Sequence, residues 1–193
     1  MKKILICGGG ALGSHALFLG RDLRHELAVI DYDRVETKNL ASQWFVKQMV
    51  GKPKATALKM QLLNFYGVKL QNEFAVELTD LNAETILSGY DLLVDCFDNA
   101  AARGIVQEYA RLNQVACLHA GLAADGVFGA IRWDKDFVID EEDVPGQATC
   151  DGGGFLPLIN SAAAAIVTSL ERYLEDDEQL NWNVTPRGSE SFS

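Results

Sequence analysis

Cations are scarce in this chain: Lys and Arg number 17 against 27 Asp and Glu, for a formal charge of -10. A surface with that balance repels phosphate backbones, so nucleic acid is not expected as a partner. Long apolar runs are missing as well. Hydrophobic residues make up 48% of the sequence, yet no run approaches the roughly 20 residues that span a bilayer, so no membrane partner is expected. The opening MKKILICGGG starts like a signal segment, but its glycines interrupt it before an apolar core is complete. It reads instead as the first strand of a cytoplasmic protein. The four cysteines, Cys7, Cys96, Cys117 and Cys150, include no pair at zinc-knuckle spacing. The first three lie in or beside apolar strand candidates and read as small buried hydrophobes, whereas Cys150 lies in a polar, glycine-rich loop. Of three histidines, His15 and His25 have no neighbours that suggest a metal, and His119 at a strand end reads as structural. There is no internal repeat, and 193 residues suit one α/β domain with a substantial core rather than two.

What is present begins with a β-α-β pattern. Residues 2–7 form a strand candidate, Leu12, Ala16, Leu19 and Leu23 recur at helical spacing, and residues 26–30 give a second strand ending at Asp31. Gly8, Gly10 and Gly13 at the first turn satisfy G-x-G-x-x-G, which permits a tight turn and close approach of a nucleotide to a helix N-terminus. Asp31, about 20 residues on, is placed to accept hydrogen bonds from ribose hydroxyls. A short helix is expected near 39–47 and a longer one over 53–65, with Pro53 in its first turn and Lys54 at its opening. A lysine there opposes the helix dipole, a reason to expect an anion near it.

Further strands are expected over 68–78, 90–95 and 115–119, with helices over 82–88 and 99–112. Residues 126–133 read as an antiparallel extension, because only a short glycine-bearing connection precedes them. The acidic stretch between Trp133 and Thr149 reads as an exposed crossover loop. The Ala-rich segment 158–174 reads as a helix packed on the sheet, and the acidic residues after Glu175 read as a mobile tail. The expected architecture is a Rossmann-like α/β fold, a mostly parallel sheet flanked by helices with an antiparallel extension near its C-terminal half. Its focal stretch is DCFDN, residues 95–99, in which an apolar strand delivers two acids to the carboxyl edge, where open α/β sheets bind ligands. Asp98 before Asn99 can cap a helix or hold a metal ion.

Taken together, GGGALG, DYDRVETKNLASQ, VGKPKA, DCFDN and the Cys150 stretch CDGGGFLP make residues 3–175 resemble the ThiF, MoeB and HesA family, the adenylating domain shared with ubiquitin-activating enzymes. The resemblance implies an adenylation domain over 1–175 followed by the acidic tail 176–193. It implies ATP and magnesium as cofactors and, as partner, a small ubiquitin-like or sulfur-carrier protein with a C-terminal glycine, within a homodimer or a hetero-complex. Trp44 and Phe45, core or interface anchors, are compatible with such a dimer. On this likeness Asp31 holds the ribose, Asn39 and Lys54 contact the triphosphate, Asp98 coordinates magnesium, and Cys150 matches a cysteine that some relatives use to form a thioester or persulfide with the activated carrier. Such a thiol would need to be exposed near a helix N-terminus, and the alternative is an ordinary loop cysteine.

Two cations of the family pattern are missing. Ser42 stands where an arginine is usual, and the sequence opens directly on its first strand, without the N-terminal extension from which many relatives contribute another arginine. Loss of one such stabilising donor typically costs on the order of 100- to 1,000-fold in rate. Arg21, Arg103 or Lys47, or an arginine from a partner, are the candidates to compensate. Two other readings therefore stand beside adenylation: a non-catalytic subunit that works only in a complex, and an NAD(P)-dependent oxidoreductase, which would use the glycines and Asp31 but not Lys54 or Asp98.

Overall fold

The structure is a computed structural model that describes residues 1–123, 125–139 and 155–193. Among the described residues, eight strands form one sheet in the order β3-β2-β1-β4-β5-β6-β7-β8. Its parallel half contains β1 (Lys3–Cys7), β2 (Glu26–Ile30), β3 (Asn72–Phe74), β4 (Leu92–Asp95) and β5 (Ala116–Leu122). From β5 the pairing turns antiparallel through β6 (Gly129–Trp133), β7 (Asn181–Thr185) and β8 (Gly188–Phe192).

The inner strands are mostly apolar because both of their faces are covered. Ile4 and Ile6 of β1, Leu27 and Val29 of β2, and Leu92 and Val94 of β4 pack on one side. That side is closed by α1 (Ala11–Leu19), α2 (Lys54–Tyr66) and α5 (Leu156–Asp176). The alternate residues, Leu5, Cys7, Ala28, Ile30 and Leu93, face α3 (Ala83–Leu87) and α4 (Ala100–Asn113). The buried alanines of α5, Ala162, Ala163 and Ala165, let it lie close to α1 and the sheet. Among the described residues, no helix is long and apolar enough to cross a membrane.

Three expectations need correction. The stretch expected as a strand over 68–78 contributes only the three residues of β3. This is an edge strand that pairs with β2 alone, and its ladder stops at Phe74 because its partner stops at Ile30. The helix expected near 39–47 is two short 3-10 turns, Thr37–Ala41 and Lys47–Met49. Between them the buried Gln61 of α2 donates to the Trp44 carbonyl and accepts from the Val46 N–H, both at 3.0 Å, so a side chain satisfies the broken turn. The acidic segment expected as a mobile tail is the β7–β8 hairpin, and α5 runs on to Asp176 before it. Asn181, fully buried, accepts from the Trp133 N–H at 2.9 Å, and Trp182 Nε1 donates to Ser169 Oγ at 2.9 Å, so the hairpin is fixed to β6 and α5. Part of the expected crossover loop, residues 140–149, lies outside the described residues.

Candidate nucleotide site

At the carboxyl edge, β1 turns into α1 with less room than a side chain needs. Gly8 has φ +97°, and a Cβ there would stand 2.9 Å from the Cys96 carbonyl oxygen. A Cβ on Gly13 would stand 1.8 Å from the Gly8 carbonyl oxygen, so α1 can start this close to the strand end only with glycine at 13. Gly10, the residue before α1, faces open space. The glycine pattern thus divides into two residues that shape the turn and one that leaves it accessible.

Asp31 ends β2 beside this turn, 7% exposed. Its Oδ2 accepts the Gly9 N–H at 2.7 Å and its Oδ1 accepts the Asp33 N–H at 2.8 Å. Burial pushes its carboxyl above the usual aspartate value, against the opposing charge of Lys54 and these two N–H donors. Lys54 opens α2 with its side chain only 8% exposed, and its Nζ lies 2.9 Å from Asp33 Oδ2. Burial alone would lower its pKa, but Asp31, Asp33 and Asp98 outweigh it and raise the value, so the ammonium is held charged. Asp98 is exposed, and its charge acts on Lys54 and on Tyr32 from across the edge. The glycine turn and three further expected residues therefore converge: the β1–α1 turn, Asp31, Lys54 and Asp98. Asp33 was not anticipated. Its only signal in the sequence was the second acid of DYD, which reads equally as turn chemistry.

Asn39 is buried, and its Oδ1 accepts the Glu36 N–H at 2.8 Å, which caps the turn of residues 37–41. Ser42, where an arginine was expected, is also buried, with its N–H on the Asn39 carbonyl at 3.2 Å. Two of the three candidate substitute cations are engaged elsewhere. Arg21 Nη1 donates to the Phe18 carbonyl at 2.6 Å, and its guanidinium stacks on Phe18 and Tyr66. Arg103 bonds Asp95 and the Ala120 carbonyl, while Lys47 is exposed on its turn. Phe45 is in the core and Trp44 stacks on Phe18 at 4.8 Å, so both anchor the domain from within. Burial raises the thiol pKa of Cys7, Cys96 and Cys117, as expected for inert packing groups. Cys150 lies outside the described residues.

Among the described residues, no three His, Cys, Asp or Glu side chains converge to cage a metal. Magnesium does not require such a cage, because it is commonly held by one or two carboxylates together with substrate phosphates and water. An exposed Asp98 whose charge reaches the Lys54 ammonium fits that kind of site.

The ThiF family matches residues 1–179. The chain belongs to this family. It is 32% identical over 137 residues to the adenylyltransferase and sulfurtransferase UBA4 of Lodderomyces elongisporus, an alignment that covers 69% of this chain and 30% of that protein. With the sulfur carrier protein adenylyltransferase of Thermus thermophilus it shares 34% identity over 131 residues, 67% of this chain and 45% of the other. This ThiF-family chain thus spans less than half the length of these two curated relatives. Crystalline MccB of E. coli with ATP superposes on 100% of this chain and 63% of its own with a TM-score of 0.77 at 19% identity, a likeness of fold.

Proposed function

We propose that this ThiF-family protein uses ATP to adenylate the C-terminal glycine carboxylate of a small ubiquitin-like or sulfur-carrier protein. The observation that carries the reading is the convergence of a buried, charged Lys54 with Asp31 and Asp98 around an open glycine turn. The two relatives above, both named as adenylyltransferases, support it.

In this chemistry the carrier carboxylate attacks the α-phosphorus of ATP, the bond to the β-phosphate oxygen breaks, and pyrophosphate leaves. The attacking group is already ionised at neutral pH, so no protein base is needed. What the reaction demands is orientation and positive charge. The Gly8–Gly13 turn and the N-terminus of α1 would receive phosphate oxygens, and Asp31 would orient the ribose. Lys54 has three N–H donors, of which Asp33 takes one. The others would meet the phosphates and stay on them as charge builds on the leaving pyrophosphate. Asn39 would act at the same edge, as the family resemblance implies. When bound, magnesium would be held by Asp98 and nucleotide oxygens and would neutralise phosphate charge. Cys150 would be the acceptor if the activated carrier is passed on as a thioester: its thiol would give up a proton to solvent and attack the acyl carbon, and AMP would leave.

A second reading is favoured by one observation. Ser42 is buried, and Arg21 and Arg103 are committed to other contacts. The missing cation would then come from a partner, and the chain would need a homodimer mate or a second protein to react. Incubation with labelled pyrophosphate, ATP, magnesium and a carrier ending in Gly-Gly tests both readings. Adenylation by this chain alone gives exchange that falls on the order of 100-fold or more in Lys54→Ala. Exchange that starts only on adding a second protein favours the partner-dependent reading, and nucleotide binding with no exchange in either setting overturns the enzymatic one.

A further inference from the structure

Asp95, the first acid of DCFDN, is fully buried at the end of β4, whereas Asp98 three residues on is exposed. A buried carboxylate is costly unless its charge and lone pairs are met. Both oxygens of Asp95 are met, from different parts of the fold. Oδ1 accepts the Phe97 N–H at 3.0 Å, which fixes the turn that carries Asp98. Oδ2 lies 2.8 Å from His119 Nδ1 and accepts from Arg103 Nη1 at 3.2 Å. Arg103 also donates to the Ala120 carbonyl at 2.8 Å, which ties α4 to β5.

His119 extends the series. It is fully buried, and its Nε2 lies 3.3 Å from Asp134 Oδ1. Asp134 follows β6 and is itself held by Gln107 and Arg111 of α4, each at 2.8 Å. Phe137 lies flat on the His119 ring, with centroids 4.1 Å apart and planes 7° from parallel. The Arg103 guanidinium stands 5.6 Å from the centroid of the same Phe137 ring. One continuous set of polar contacts thus runs from the Phe97 amide to the segment that leaves β6, and both ends are anchored on α4.

We propose that Asp95 is a positioning residue for Asp98, and that His119 ties it to the 134–137 segment, so that the Asp98 turn keeps its geometry only while that segment is docked. The role given to Asp98 rests on the adenylation reading; the linkage between the two segments does not. Interior polar networks of this kind are cooperative, and removing an outer member loosens the inner ones. The sequence places 134–137 ahead of Cys150, with residues 138–149 between them. Whatever displaces the first segment would therefore also loosen the Asp98 turn.

The test is amide hydrogen exchange on the wild type, Asp134→Ala and His119→Phe, with thermal melting to identify any global loss of fold. Asp134→Ala removes the far anchor without touching the nucleotide edge. His119→Phe keeps a ring to stack on Phe137 but loses both polar contacts. The expected result is faster exchange over residues 96–99 in both variants, by roughly tenfold, the factor that one hydrogen bond of ordinary net strength sets, with β1 amides unchanged. In pyrophosphate exchange the same variants raise the half-saturating magnesium concentration severalfold and leave the KM for the carrier unmoved. Loosening confined to residues 134–139, with 96–99 as slow as in the wild type, overturns the proposal. If His119→Phe melts at the assay temperature, Asp134→Ala alone decides. If the wild type performs no pyrophosphate exchange, the adenylation reading fails while the amide result still decides the linkage.

Discussion

Lys54 and Asp33 show how much of this site depends on charge placement within a few ångströms. Asp33 is half exposed, so its pair with Lys54 contributes little to stability. On the proposed function its effect should appear in binding, because it orients one N–H of the ammonium and would leave the others for phosphate. Asp33→Asn should therefore raise the KM for ATP severalfold and change the unfolding free energy by less than about 1 kcal/mol, as nucleotide titration and urea denaturation would show. A buried lysine usually gives up its proton more easily, yet three acids hold this one charged. Asp134 provides a separate titration. Burial would raise its pKa, but Arg111, Gln107 and His119 together lower it below the ordinary aspartate value of 3.8. A depressed folded value stabilises the protein above the unfolded pKa, and the contribution is lost as pH falls through the folded value. Urea midpoints measured from about pH 5 down past pH 3.8 should fall less steeply in Asp134→Asn than in the wild type.

Elements inherit both certainties and ambiguities from such residues. Gln61 of α2 satisfies two backbone groups of the irregular 42–46 stretch. Gln61→Leu leaves a part-buried donor and a part-buried acceptor unmet and should cost about 2 kcal/mol of stability, read from the shift in denaturation midpoint. The same residue explains why this stretch was not legible in the sequence. Apolar spacing over 39–47 resembles a helix, but whether a distant side chain replaces helical hydrogen bonds is a tertiary fact. The parallel strands were legible because burial on both faces leaves continuous apolar runs, and the helices after Pro53 and Asn99 were legible through their first residues. Asn99 Oδ1 does accept the Ala102 N–H, at 2.8 Å. The β7–β8 hairpin was not legible, since β8 is exposed along its length and the acids before it imitate a solvated tail. Within the site, the glycines, Asp31, Lys54 and Asp98 could be read from spacing and family resemblance. The pairing of Asp33 with Lys54 and the Asp95–His119–Asp134 series could not, because they join residues 15 to 24 positions apart.

At the scale of the whole molecule, a parallel half carries the candidate nucleotide edge and an antiparallel half extends the sheet beyond it. The hairpin belongs to the folded domain. Trp182→Ala, which removes a partly buried ring and its bond to Ser169, should cost about 3 kcal/mol, toward the low end for truncating an aromatic. Calorimetric melting would check this. A change well under 1 kcal/mol would mean that the hairpin adds little to the fold. Membership of the ThiF family and the charges that converge at the carboxyl edge support the proposal that the chemistry takes place there. The most direct test of that claim is magnesium-dependent ATP–pyrophosphate exchange with a Gly-Gly-ending carrier, and with any second protein that wild-type exchange requires, comparing wild type with Asp98→Asn. The account predicts a loss on the order of 100-fold or more in the variant, with the melting temperature preserved. Exchange at the wild-type rate in Asp98→Asn would contradict it.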